Sequence, residues 1–239
     1  ILCNSDFDSD KEKDYLRVLK EKMVDGVIYM SSSLEEETLD IINELDLKTV
    51  LVETKDKEGR LPSVYIDNIE ATYEATKHLL DKGIKNIAFI GVDKSSANAW
   101  GDRYIGYEKA LNEAGIPVDE DLVYFEGLKV KSGYVASEKF LASGKNFDGI
   151  ICASDEIAMG AINGLREKGV NTPEDVSVIG FNDNVVASYF YPKLTTVKQP
   201  SYDMGSVAMR MLIKILNNKP LEEAEFILNH ELIERESCK

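Results

Sequence analysis

An α/β fold of two lobes, each built on a parallel sheet, is the architecture this sequence predicts, and three observations predict it. The first is a set of short, continuous apolar runs: GVIYM (26–30), TVLVE (49–53), NIAFIG (86–91), LVYFEG (122–127), DGIICAS (148–154) and VSVIGF (176–181). Runs without polar alternation belong to strands covered on both faces, which is the environment of parallel sheets. The second is the amphipathic helical pattern between them, near 9–23, 34–45, 68–82, 102–114, 132–143, 156–168 and 201–217. The third is the position of Gly83, Gly115, Gly144 and Gly169, each where a helix should close on a left-handed residue.

The order of these elements is βαβαβ, twice, so each lobe is Rossmann-like. The chain leaves the first lobe at VYID (64–67), and YPKLTTVKQP (191–200) reads as a second passage, which returns the helix 201–217 to the first lobe. The expected lobes are residues 1–67 with 197–221, and 68–196 with 222–239, joined by crossover strands. ILCNS (1–5) reads as the second strand of its sheet, so a further strand and helix are expected upstream of Ile1.

Composition narrows the function. A content of 44% hydrophobic residues is ordinary for a globular protein, and no run approaches the roughly 18–20 apolar residues of a membrane span. No export signal is visible at the N-terminus, and three scattered cysteines without a CxxC pair suit a reducing, cytoplasmic compartment. Cys3 and Cys152 lie in apolar stretches and read as core thiols. A net charge of −15 opposes direct contact between this polypeptide and nucleic acid.

Signatures of catalysis are missing. There is no GxGxxG after a strand, no GxxxxGK[ST] and no GxSxG. His78 and His230, the only histidines, lack neighbours at metal-ligand spacing, so neither a metal nor a cofactor is expected. The acidic runs LEEE (34–37) and LEEAEF (221–226) read as solvated helix or loop. What converges instead is a set of polar residues just past strand carboxyl ends, where open α/β sheets bind ligands: Asn4, Ser31, Glu53, Asp93, Ser154 with Asp155, and Asn182 with Asp183. Arg103, in RYIGYEKAL, adds a planar cation suited to hydroxyls or a small anion. Ser154 and Asp155 equally suit a helix N-cap.

The helix SYDMGSVAMRMLIKIL (201–216) has an unusual surface. At about 100° per residue, Met204, Gly205, Ala208, Leu212, Ile215 and Leu216 form the face expected to meet the core. Val207 and Met211 then fall on the solvent side, interleaved with Asp203, Arg210 and Lys214. A mixed apolar and charged stripe on an exposed face reads as a docking surface; the same mixture also suits a homodimer contact.

The stretches VDGVIYM, PSVYIDNIEATYEATKHLLDKGIKNIAFIG, RYIGYEKALNEAGIPV, SDEIAMGAINGLREKGVNTPEDVSVIGFNDN and YPKLTTVKQPSYDMGSVAMRMLIKIL together resemble the LacI family of bacterial transcription regulators. The resemblance implies a fold like that of type I periplasmic binding proteins, a homodimer, and operator DNA held by an upstream helix-turn-helix. Within the family, PSVYID and QPSYDMGSVAMRML are similar to the catabolite-control branch of Gram-positive bacteria. That likeness implies a corepressor, the phosphocarrier HPr phosphorylated on serine, docked on Tyr202, Asp203, Val207, Arg210, Met211 and Lys214. For a small-molecule effector the family pattern implies Arg103, Ser154, Asp155 and Asn182, with Glu53 added from the residue reading. Asn182 stands where many relatives have Asp, and the shortened GLKVKSGY brings Lys129 or Lys131 near. Both departures shift the expected ligand toward a sugar phosphate. A transporter's sugar-binding protein of the same two-lobed fold is the competing reading.

Overall fold

The computed structural model describes residues 1–6, 8–31, 34–93 and 98–239, and these divide into two compact units. Unit 1 comprises Ile1–Ile66 and Pro200–Leu228; unit 2 comprises Asp67–Gln199 and Asn229–Lys239. The last passage between units therefore falls at residues 228–229 rather than after residue 221, because a strand lying beyond residue 221 stays with unit 1.

Unit 1 runs α1 (Ser9–Glu21), β1 (Val27–Met30), α2 (Glu36–Glu44), β2 (Thr49–Val52) and β3 (Ser63–Ile66). The order of its parallel sheet is β1-β2-β3-β9, where β9 is Glu225–Leu228. Both faces of this sheet are covered, as its continuous apolar runs require. Leu51 faces one way and packs with Leu16, Ile41 and Ile42 of α1 and α2. Val50 and Val52 face the other way, with Val64, onto the helix Ser201–Leu216. ILCNS forms no strand: Ile1 and Leu2 are exposed and unpaired in the sheet, and Cys3 is only partly covered rather than a core thiol. Among the described residues none forms a ladder with residues 1–5.

Unit 2 runs α3 (Asn68–Asp81), β4 (Ile87–Gly91), α4 (Ala99–Glu113), β5 (Val123–Phe125), α5 (Val130–Ser143), β6 (Gly149–Cys152), α6 (Asp155–Glu167), β7 (Ser177–Asn182) and β8 (Thr195–Lys198). After α7 (Ser201–Leu216) and β9 in unit 1, the chain adds β10 (Glu231–Ile233). The sheet order is β10-β8-β7-β6-β4-β5, parallel except for the antiparallel pair β10–β8. Right-handed crossovers run from β4 to β5 in one direction and from β5 through β6 to β7 in the other, which places α4 on one face and α5 with α6 on the other. All four glycines expected to close helices lie at positive φ, from 70° at Gly115 and Gly144 to 84° at Gly83.

The helix pair α5 and α6 meets backbone to backbone. A Cβ at Gly160 would stand 1.9 Å from the Val130 carbonyl oxygen, and one at Gly133 1.9 Å from that of Ile157. Neither carbonyl can swing aside within a helix, so Gly160→Ala should force the pair apart and lower stability by about 2 kcal/mol. Urea unfolding measures it; a loss under about 0.5 kcal/mol would mean that the helices slide apart at little cost.

Candidate functional site

The sequence-selected residues of unit 2 gather at the carboxyl ends of its central strands. β6 ends at Cys152, and after Ala153 Ser154 caps α6, its Oγ accepting from the Ile157 amide at 3.2 Å. The hydroxyl is buried and spent on the helix, which is the capping role the sequence also allowed. Asp155, the first residue of α6, has no exposed surface. Its Oδ1 accepts from the Thr196 hydroxyl at 2.6 Å and its Oδ2 from the Asn184 amide at 2.7 Å. Gly180 makes room for it, since a Cβ there would lie 2.5 Å from Oδ1. Asp155 thus fastens α6 to β8 and to the segment after β7.

Burial pushes the Asp155 carboxyl from its ordinary 3.8 up to about 7, against the lowering effect of its bonds from Thr196 and Asn184. The folded chain therefore holds this proton more tightly than the unfolded chain between about pH 4 and pH 7, so ionising it removes stability as pH rises through that window. Asp155→Asn should unfold with a shallower decline in stability over the same window. Parallel profiles for the two proteins in urea titrations would show that Asp155 does not titrate there.

Arg103 is the densest part of the site. It is 2% exposed, in the first turns of α4. Its Nε donates to Asn68 Oδ1 at 2.9 Å and its Nη1 to the Ala153 carbonyl at 2.6 Å. Its guanidinium lies 3.7 Å from the Phe181 ring centroid and 4.5 Å from that of Trp100. Two aromatic faces fix the plane of the cation, so its hydrogen bonds can form only along its edge. These contacts bring Arg103 beside Ala153 and Phe181, the chain neighbours of Ser154 and Asn182.

Asn182 closes β7 and Asp183 follows it, with φ of 109° and 56°, a conformation that costs a non-glycine residue and persists only where surroundings hold it. Here Asn182 Oδ1 accepts from Gln199 Nε2 at 2.7 Å, and Asp183 pairs with Arg235 at 2.6 Å. Glu53 takes the same left-handed region at the end of β2 in unit 1, with φ of 63°. Also in unit 1, Ser31 donates to Glu12 at 2.9 Å, and Asn4 bonds the exposed Asp6. Asn68, Trp100 and Phe181 were not singled out from the sequence. The spacing of Trp100 and Arg103, three residues apart on one helix face, was the available signal.

The second expected surface is α7. Tyr202 is 86% exposed, and Asp203 and Arg210 are exposed as well. Val207 and Met211 are not on the solvent side: each is 7% exposed and packs with Val50, Val52 and Val64. The core face of α7 is rotated from the expected one, because the sheet takes up Met204, Val207, Ala208, Met211 and Leu212 and leaves Gly205 and Leu216 outside. The large apolar side chains left exposed along the helix are Tyr202, Met209, Ile213 and Leu216. Beside α7 runs a groove of about 500 Å³, lined by Val207, Arg210, Met211 and Lys214 and walled by Leu221, Glu222, Glu223 and Phe226. Lys214 reaches Glu222 across it at 3.2 Å. The stretch 221–226 is thus not wholly a solvated run: its end enters β9, with Phe226 in the groove wall.

Among the described residues no cluster of His, Cys, Asp and Glu could hold a metal ion, and no helix is long and apolar enough to cross a membrane. Cys152 is buried, which raises its thiol pKa and leaves it an inert core group.

Comparison with known proteins completes the picture. The model of the periplasmic binding protein-like domain matches residues 76–238. The HTH-type transcriptional regulator RegA of Clostridium saccharobutylicum is 68% identical over 99% of this chain and 71% of its own length. The crystal structure of the transcription regulator CcpA of Lactococcus lactis matches with a TM-score of 0.92 and 38% identity, covering 100% of this chain and 87% of that one. A complex of the transcriptional regulator CelR with cellobiose matches at 0.88 and 30% identity, over 96% of this chain and 70% of that one.

Proposed function

Since the chain belongs to the LacI family of transcription regulators and forms the effector-binding core, we propose that it senses carbon supply through serine-phosphorylated HPr on α7 and a sugar or sugar phosphate at Arg103. The relatives are transcription regulators rather than enzymes. In this reading the core works in the cytoplasm as a homodimer, and operator DNA is bound by an N-terminal helix-turn-helix domain that the relatives' designation as HTH-type regulators suggests.

One observation carries the HPr assignment: two cations, Arg210 and Lys214, border a groove whose floor is the apolar pair Val207 and Met211. A phosphoserine brings nearly two negative charges and three acceptor oxygens, and an arginine with a neighbouring lysine is its natural receptor. The Lys214 contact with Glu222 is an exposed ion pair of the kind worth about 1 kcal/mol or less, so a phosphate can displace it. Tyr202 and Asp203 at the start of α7 extend the surface. Val207 and Met211 take part as its floor, not as projecting contacts.

For the small molecule, Arg103 and Asn182 supply polar groups in unit 2, while Ser154 caps α6 and Asp155 holds the segment that carries Asn184. Dimer formation is supported by a cluster of exposed apolar side chains after β7, Val185, Tyr189 and Tyr191, each more than three-quarters exposed. Soluble monomers rarely leave such groups bare, and a second copy of the chain is the occupant that this reading assigns.

The test is DNA binding by the complete regulator with HPr, with serine-phosphorylated HPr, and with neither. Tighter operator binding with the phosphorylated form alone is expected. Equal binding in all three overturns the HPr assignment, and a monomeric core in light scattering overturns the dimer.

A further inference from the structure

We propose that Trp100 determines effector specificity: its indole is the platform on which the C–H face of a sugar ring lies, beside the cation it covers. This rests on the reading of Arg103 as an effector residue. Trp100 is the second residue of α4, and its position is fixed by the cap, since Asn98 Oδ1 accepts from the Trp100 amide at 2.9 Å and from that of Gly101 at 3.2 Å. Three residues on, the Arg103 guanidinium lies 4.5 Å from the indole centroid.

The members of this stack differ in access. Phe181 is 1% exposed and Arg103 2%, whereas Trp100 keeps part of its surface uncovered. A ligand arriving from solvent therefore meets Trp100 first. Two edge positions of the guanidinium are engaged by Asn68 and Ala153, so a bare anion finds less here than a ligand that also gains from an aromatic face. A sugar ring suits the arrangement because it is amphipathic: its hydroxyls point outward to polar groups such as Asn182, while its C–H face is apolar. The indole, polarised by the adjoining cation and held by the helix cap, offers such a ring a rigid surface at little cost in side-chain entropy.

Trp100 is the chain's one tryptophan, so its emission reports this position alone. The test titrates glucose, glucose 6-phosphate and cellobiose into the native protein, Trp100→Ala and Trp100→Phe, following each by calorimetry and the native protein also by fluorescence. A sugar that binds should change the emission with the calorimetric midpoint. Trp100→Ala should raise Kd by about 10-fold or more and Trp100→Phe by only about 3-fold, in line with stacking on an aromatic face. A sugar that binds natively with unchanged emission, and with Kd in Trp100→Ala within about 2-fold of native, overturns this proposal and leaves the Arg103 reading standing. If none of the three sugars binds, or if Arg103→Lys binds as tightly as native, the Arg103 reading falls and this proposal with it. Should Trp100→Ala melt too early to titrate, the native emission and Trp100→Phe decide the matter.

Discussion

Arg103→Ala is expected to lower the stability of unit 2 by about 3 kcal/mol as well as weaken effector binding by about 10-fold or more. The sequence alone suggests a functional arginine at a ligand, whose loss would cost affinity. The structure makes it a structural keystone of the site too. Truncation removes the hydrogen bonds that Arg103 donates to Asn68 Oδ1 and to the Ala153 carbonyl, and Asn68 is only 5% exposed, so water does not readily replace them. It also opens a void between Phe181 and Trp100. Relief of the cost of burying a cation offsets part of this, which is why the expected loss stays below the sum of its parts. Arg103→Lys keeps the charge but not the planar fork, and should recover less than half of the stability. Urea unfolding of the three proteins measures the effect. A loss under about 1 kcal/mol for Arg103→Ala would mean that the stack relaxes around the gap and that Arg103 serves the ligand only.

How much of this was legible beforehand differs between elements. The six strands read as continuous apolar runs are strands in the structure, and β2 shows why: Leu51 faces α1 and α2 while Val50 and Val52 face α7, so three successive residues are all apolar. β9 and β10 were not legible, because Glu225–Leu228 and Glu231–Ile233 are edge strands whose apolar runs, FIL (226–228) and LI (232–233), are shorter than those of the covered strands and lie among acidic and polar residues. ILCNS carries the run but forms no strand. At the site, position was legible and occupation was not. Ser154, Asp155 and Asn182 do sit at strand carboxyl ends, and Arg103 of α4 reaches them through Ala153 and Phe181. Yet the bonds that engage Asp155 come from Asn184 and Thr196, far along the chain, and the ring against Arg103 comes from β7. The left-handed backbone at Glu53, Asn182 and Asp183 leaves no compositional trace, as no glycine stands there.

The helix α7 shows the limit most clearly, and it changes what its variants should do. Its sequence carries two apolar stripes, Met204 with Ala208, Met211 and Leu212, and Gly205 with Met209, Ile213 and Leu216, and a helical period cannot say which one meets the sheet. Val50, Val52 and Val64 settle it by packing on Val207 and Met211. Met211→Asp therefore puts a carboxylate into a core position that is 7% exposed, and should cost about 4 kcal/mol or more, so that failure of HPr to bind this variant would report unfolding rather than a lost contact. Arg210 is different. It is exposed, and the hydrogen bond of its Nε is a long one, 3.4 Å, to the Ser206 carbonyl of its own helix. Arg210→Ala should change stability by less than about 0.5 kcal/mol while removing most of the preference for serine-phosphorylated over unphosphorylated HPr. Thermal melting and HPr affinity on the same two variants separate these effects. If Arg210→Ala keeps the full preference for the phosphorylated form, the phosphate is bound elsewhere and the groove beside α7 is not its receptor; if Met211→Asp melts like the native protein, Met211 is a surface residue and the assignment of the groove floor to the core is wrong.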